Sequence, residues 1–428
     1  MNSTSPPNGR LPKMARIRHR FPRPALTDIR AGAAQELKRL RLETRLQPGA
    51  EVAVTAGSRG IANIAEILRA VVDSLKDAGA KPFIFPAMGS HGGATAQGQI
   101  DVLNSYGVNE NSMGCPIRSS MDAVEIGVLS NGTPVYCDRY AYNADHIAVI
   151  NRVKPHTDFN GCVESGLCKM LAIGVGKQLG ADYYHKAFLN VDFESTVLGA
   201  AQTHIDRGKL LFGLAILENA YDETASVHAI APEEIIETEQ KLLTEARRLM
   251  GKLPADPLDC LIIDQIGKNI SGTGMDTNII GRALFPDLYP MPPNAPKALR
   301  IAALDLTEKS YGNACGIGLA DVTTQRLVDR IDMHATVMNA FTANTPHGVR
   351  IPAAFRSDKE AILKALDTIG LTPPERSRTA RIKSTLHLSE AMVSEALLPE
   401  LRDRSEIEIV SEPEEMVFDS NGNLPAFI

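Results

Sequence analysis

The chain contains no tryptophan, and aromatic residues make up only 5% of its 428 positions. A stacked aromatic cage around a bulky apolar substrate is therefore not indicated. Cysteine is sparse: six residues, at 115, 137, 162, 168, 260 and 315, include no CxxC pair. That excludes a disulfide framework in a chain this long and points to reduced thiols. Positive charge is not in excess, since 45 Lys and Arg stand against 51 Asp and Glu for a net charge of −6. No basic field is available to recruit nucleic acid or anionic lipid. No window offers the ~20 uninterrupted apolar residues of a membrane span. The first residues, MNSTSPPNGRLPKMARIRHRFPRP, lack the apolar run of a signal peptide. A cytoplasmic protein, without nucleic acid or membrane as partner, is the expectation.

What is present is patterned. The length exceeds the roughly 100–200 residues usual for one domain, and 44% apolar content with 22% charge is ordinary for a globular chain. Residues 51–56 (EVAVTA) read as a buried strand. Residues 61–78 place Ile64, Ile67, Leu68, Val71, Val72 and Leu75 on one helical face before Gly79 ends the run, and residues 81–88 (KPFIFPAM) read as the next strand. Strand, helix and strand in this order predict a parallel crossover, which binds ligands at the carboxyl ends of its strands. Ser58-Arg59 and Ser90-His91 fall at those ends, a further strand over 146–151 delivers Arg152, Lys154 and His156 to the same rim, and residues 210–217 read as a fourth strand. A helix over 232–250, acidic in its first turn and basic in its last, closes this part. GKLPADP then has the composition of a hinge, and strands over 258–264 and 301–307 begin a smaller unit. The predicted fold is α/β: two α/β domains, 1–255 and 256–428, with parallel-rich sheets and the active site in the cleft between them.

The residues with the most chemistry lie in RVKPHTDFNGCVESGLCK and KMLAIGVGKQLGADYYH. Lys169 precedes an apolar run, where partial desolvation makes an amine a better nucleophile or covalent anchor. His185 follows sixteen residues later. An amine and an imidazole so spaced can anchor and ligate one prosthetic group. Read alone, Lys169 is equally a solvated lysine at a helix start, and His185 a structural or surface histidine. His91 in MGSHGGAT and His156 in KPHTDFNG each stand beside glycines that let an imidazole approach a small molecule. Neither GSHGGAT nor SGTG at 271–274 fits a Walker loop or GxGxxG, so ordinary ATP or NAD binding is not indicated. Cys162 and Cys168 read best as small apolar filler.

Taken in order, Arg59, His91, His156, Lys169 with His185, and Gln265 with Lys268 make the chain resemble the nickel-pincer-dependent lactate racemase family, from SRG at 58–60 through Lys268. The resemblance implies an isomerase, a 2-hydroxyacid racemase or epimerase. Its cofactor would be the nickel-pincer nucleotide, nickel pyridinium-3-thioamide-5-thiocarboxylate mononucleotide, joined to Lys169 through a thioamide, with His185 completing the square plane of Ni. Hydride from the substrate's C2 would pass to the cofactor ring while His91 or His156 takes the hydroxyl proton, one base for each face of the carbon. The planar keto acid would turn and take the hydride on its other face. Arg59, Gln265 and Lys268 would hold the small-molecule 2-hydroxy acid. Gly92 and Gly93, with SGTG, could cradle the cofactor's phosphate through backbone donors. Implied partners are the cofactor-synthesis enzymes, and a homodimer is compatible with the reading.

Two departures from the family pattern are visible. Glu164-Ser165-Gly166-Leu167-Cys168 lengthens the interval between His156 and Lys169, and Ala56 stands three residues before Arg59 where an acidic residue is expected. A substrate other than lactate follows as an expectation. Three other readings are kept: a Schiff-base lysine acting on keto or hydroxy acids, a zinc enzyme using His91, His156 and His185, and a non-catalytic carboxylate-binding or cofactor-carrying protein.

Overall fold

A computed structural model describes residues 11–427 apart from Arg59 and Phe188, with the backbone alone for His185. The chain divides into two compact units. One comprises Arg23–His156 and Asn160–Met250. The other comprises the N-terminal segment ending at Pro22, Thr157–Phe159 and the chain from Gly251 onward. The first strand, β1 (Met14–His19), therefore does not join the residues that follow it, as a boundary at 255 would have it. It pairs with strands near the C terminus.

The unit beginning at Arg23 is built on a five-stranded sheet. Its strands are β2 (Glu51–Ala56), β3 (Lys81–Pro86), β6 (His146–Arg152), β7 (Leu210–Glu218) and β8 (Thr224–Ile230), in the order β3-β2-β6-β7-β8. A separate hairpin of β4 (Ala123–Val128) and β5 (Pro134–Asp138) lies between β3 and β6 in sequence. β3, β2, β6 and β7 are parallel neighbours, and only β8 runs antiparallel. Four carboxyl ends accordingly share one edge, the edge where ligands bind in such sheets.

Periodicity explains the layering. The helix Ile64–Asp77 buries Ile67, Leu68, Val71, Val72 and Leu75 against a core that includes Val52, Val54 and Ile84. Each such side chain contributes roughly 1.5–3 kcal/mol of burial free energy. The helix begins three residues later than the apolar pattern suggests, because Asn63 at its N-cap is left-handed (φ 58°). The predicted helix over 232–250 divides into a 3-10 turn, Pro232–Glu234, and the helix Ile235–Leu249.

The second unit carries an eight-stranded sheet that adds β9 (Leu258–Ile266), β10 (Ala298–Leu306), β11 (Val322–Thr324), β12 (Ala353–Phe355), β13 (Thr379–Ser384), β14 (His387–Ser394) and β15 (Ile407–Ile409) to β1. The order is β12-β11-β10-β9-β13-β14-β1-β15, parallel from β12 to β13 and antiparallel from there on. The fold class is α/β with parallel-rich sheets, as expected. All six cysteines are free. Among the described residues no helix is long and apolar enough to cross a membrane.

Candidate functional site

The shared edge of β2, β3 and β6 places the functional side chains of the first unit. After β2 comes Ser58, whose carbonyl accepts a hydrogen bond from the Tyr106 hydroxyl at 2.6 Å. After β3 comes the loop bearing His91, and His91 Nδ1 is in hydrogen-bond contact with Ser58 Oγ. The two strand-end loops are thus joined directly at the imidazole. Gly92 and Gly93 follow with positive φ (67° and 65°), which turns the chain sharply into the helix Ala96–Ser105.

After β6 the chain runs through Lys154 to His156 and returns at Ser165. Lys154 and Ser165 form an antiparallel bridge, with amide to carbonyl distances of 2.8 and 3.2 Å. The residues that lengthen this interval are therefore ordered into a pinched loop. Its back is held by Glu164, whose side chain is fully buried. Glu164 accepts from the His156 amide at 2.6 Å, the Gly161 amide at 3.1 Å and the Arg247 guanidinium at 2.5 Å. Burial raises its pKa, opposed by those hydrogen bonds and the Arg247 charge.

Lys169 ends the short helical turn Leu167–Lys169 and precedes a π turn, Met170–Gly174. Such turns recur at functional sites. Lys169 is half-buried, and its Nζ is in hydrogen-bond contact with His156 Nε2. The turn rests on Glu239 of the helix Ile235–Leu249, which accepts from the Cys168 amide at 2.8 Å. Glu239 is fully buried, and its second carboxylate oxygen has no hydrogen-bond partner among the described residues. Burial, incompletely offset by hydrogen bonds from the Cys168 amide, the Cys168 thiol and the Leu167 amide, pushes its pKa up to about 7.

Two glycines make the packing possible. A Cβ on Gly166 would overlap the Glu239 carboxylate, and one on Gly174 would lie 2.7 Å from the Ala87 carbonyl oxygen. Gly89 donates to the Gly174 carbonyl at 3.3 Å, so the His91 loop and the segment after Lys169 meet backbone to backbone. Gly166→Ala is expected to cost about 1–3 kcal/mol by overpacking and to be read as a lowered denaturation midpoint at unchanged m-value; an unchanged midpoint contradicts the close approach.

His185 lies in the helix Lys177–Ala187 that follows, and its side chain is outside the described residues, as is Arg59. Gln265 and Lys268 stand at and beyond the carboxyl end of β9, in the other unit. The Lys268 ammonium donates to the Gly272 carbonyl, and its amide to Ser310 Oγ at 2.9 Å. Arg152, at the end of β6, is paired with Glu218 at the end of β7. Among the described residues no group of three His, Cys, Asp or Glu side chains is placed to hold a metal ion. Cys168 is buried and bonded to Glu239, and Cys162 accepts weakly from Gln240 at 3.4 Å.

Sequence reasoning missed Ser58, Glu164 and Glu239 as supports. Glu239 left a signal: it sits within the apolar stripe of Ile235, Leu242, Leu243 and Ala246, where a carboxylate requires a partner.

His91 and His156 follow the carboxyl ends of parallel strands, the edge at which sheets of this kind bind small molecules. Residues 33–196 match the family model described as the lactate racemase N-terminal domain, and the resemblance to lactate racemases is shown there. That span holds His91, His156, Lys169 and His185, while Gln265 and Lys268 lie beyond it. The fold is similar to that of the lactate racemase apoprotein from Thermoanaerobacterium thermosaccharolyticum, at a TM-score of 0.53 and 14% identity, covering 87% of this chain and 99% of that one. It is also similar to a structural-genomics target protein from Thermotoga maritima, at 0.51 and 12% identity, covering 86% and 98%. No curated protein matches the chain.

Proposed function

We propose that the chain racemises or epimerises a 2-hydroxy acid, with Lys169 as the tether of a nickel-pincer nucleotide and His185 as the protein's ligand to nickel. The observation that carries this reading is the half-buried Lys169 amine, set against His156 between a helical and a π turn, one helix ahead of His185. A primary amine for covalent attachment and an imidazole for a late first-row metal are the donor set such a group requires. The match over residues 33–196 supports the same reading.

When bound, the group supplies a hydride acceptor, and the chain supplies the rest. His91 is held at Nδ1 by Ser58, which assigns proton transfer at the substrate hydroxyl to Nε2. His156, fixed through its amide by Glu164, serves the opposite face. Arg59, Gln265 and Lys268 are assigned to the substrate's carboxylate and hydroxyl groups, and Gly92 and Gly93 to the cofactor phosphate. The cofactor-synthesis enzymes are required partners, because nothing in a bare chain makes such a group.

The test is to supply single enantiomers of a panel of 2-hydroxy acids, in deuterated water, to protein made together with the cofactor-synthesis enzymes. Loss of optical purity with the original hydrogen kept at C2 is expected, since the hydride returns to the carbon it left. Deuterium at C2, or no loss of optical purity with any acid, contradicts the proposal. The Lys169 to His156 contact also suits a Schiff-base lysine, because a neighbouring imidazole can take the ammonium proton. Borohydride reduction with a keto acid present would trap that adduct on Lys169 and decide for it.

A further inference from the structure

The segment after Lys169 contains a second lysine that the chemistry above does not use. Lys177 opens the helix carrying His185, in a left-handed conformation (φ 56°) that non-glycine residues rarely adopt. Its side chain is 0% exposed, as is that of Asp138, whose carboxylate lies 3.6 Å from Nζ. The Lys177 ammonium donates to the Pro86 carbonyl at 2.8 Å, where β3 ends, and to Gln99 Oε1 at 2.6 Å. Gln99 is itself buried, and its amide nitrogen donates to the carbonyls of Gly89 at 3.0 Å and His91 at 3.2 Å. Asp138 is anchored in turn, accepting from the amides of Tyr140 and Ala141 at 2.8 and 3.1 Å.

A buried ammonium is costly unless paired and hydrogen-bonded. Here one of its bonds goes to Pro86 and another to Gln99, whose own amide reaches Gly89 and His91 at the far end of the stretch that Pro86 begins. Asp138 and the Pro86 carbonyl serve the ammonium itself, whereas the amide nitrogen of Gln99 reaches past it to the carbonyls of Gly89 and His91. The link through Gln99 instead fixes the backbone of the residue assigned as one of the two bases. Burial lowers the Lys177 pKa and raises that of Asp138, the mutual attraction opposing both.

We propose that Lys177 and Gln99 are positioning residues of this site, a buried relay that ties the helix bearing His185 to the backbone of the His91 loop. The inference rests on the racemase reading for its consequence, not for its geometry. Misplacing a reacting group by about 1 Å can cost on the order of 100-fold in rate.

Lys177→Met leaves Asp138 buried without its cation and is expected to unfold the chain, so the deciding variant is Gln99→Glu. It keeps an acceptor for Lys177 and removes both N–H donors to Gly89 and His91. On the full chain carrying its cofactor, assayed below its own thermal midpoint, kcat is expected to fall about 10- to 100-fold with KM within about 2-fold, a split that general destabilisation does not produce. An unchanged kcat overturns the proposal. If wild type proves inactive on every 2-hydroxy acid, the racemase reading fails separately, and the relay is read on the same full chain without cofactor. The rate of His91 carbethoxylation by diethylpyrocarbonate, followed by peptide mass spectrometry, is then expected to rise several-fold in Gln99→Glu while that of His156 stays constant. Equal His91 rates in the two proteins overturn the inference whatever the activity.

Discussion

His91→Ala and His156→Ala are each expected to lower turnover by about 10²- to 10⁴-fold, the range for loss of a positioned acid or base. Two enantiomers have equal free energy, so overall racemisation must slow equally in both directions whichever base is lost. The two variants separate only in the half-reaction. If each histidine serves one face, His91→Ala blocks oxidation of one enantiomer to the keto acid and spares the other, and His156→Ala does the reverse. Single-turnover trapping of keto acid from each pure enantiomer measures this. Equal loss for both enantiomers in both variants contradicts a division of labour between the two rings. His156, unlike His91, is also in contact with Lys169, the proposed tether. Its variant should therefore also acquire cofactor more slowly, seen as a lower nickel content per chain.

The second large effect concerns stability. Burial holds the Glu239 pKa at about 7 in the folded chain, against 4.5 for an ordinary glutamate. A raised carboxyl pKa means that the folded protein binds the proton more tightly than the unfolded one. The associated stability is full below about pH 4.5 and is lost as pH rises toward 7. The shift corresponds to about 3 kcal/mol. Glu239→Gln keeps an acceptor for the Cys168 amide and removes the titration. Its advantage over wild type is expected to grow from near zero at about pH 4.5 to about 3 kcal/mol at and above pH 7, measured by urea unfolding across that range. His204 and His19, whose pKa values burial lowers to about 4, slope the other way, but they are common to both proteins and cancel in the difference. A constant offset between the two curves contradicts a buried, titrating Glu239. Glu239→Ala instead strips the Cys168 amide of its acceptor and is expected to cost about 1–3 kcal/mol at all pH values.

The parallel core of the first unit was legible because its signals are local. β2, the helix over 64–77 and β3 each declare their period within a single window, and the carboxyl ends of those strands then place Ser58 and His91 without further information. β1 was not legible. MARIRH alternates, but its partners lie near residues 390 and 408, and nothing local specifies a pairing across the whole chain. The β4–β5 hairpin turns at Asn131-Gly132, a recognised hairpin dipeptide, yet its strands bury too little to stand out.

The site divides in the same way. His91 and His156 were visible as reactive residue types near glycines, and Lys169 and His185 by their spacing, whereas their supports were not. Glu164 and Glu239 become carboxylate acceptors only once the loop folds back on the helix over 235–249. Lys177 reads in sequence as one more charge beside a glycine, and its burial against Asp138 is set by packing. The pairing of Arg152 with Glu218 was equally hidden, because the carboxylate arrives from the neighbouring strand β7.

The most direct measurement is intact-protein and peptide mass spectrometry with parallel nickel analysis, on wild type and Lys169→Ala, each produced together with the cofactor-synthesis enzymes. The account predicts a nickel-dependent mass addition on the Lys169 peptide of wild type and none on the variant, which remains folded. Wild type that is unmodified and nickel-free under those conditions would contradict it.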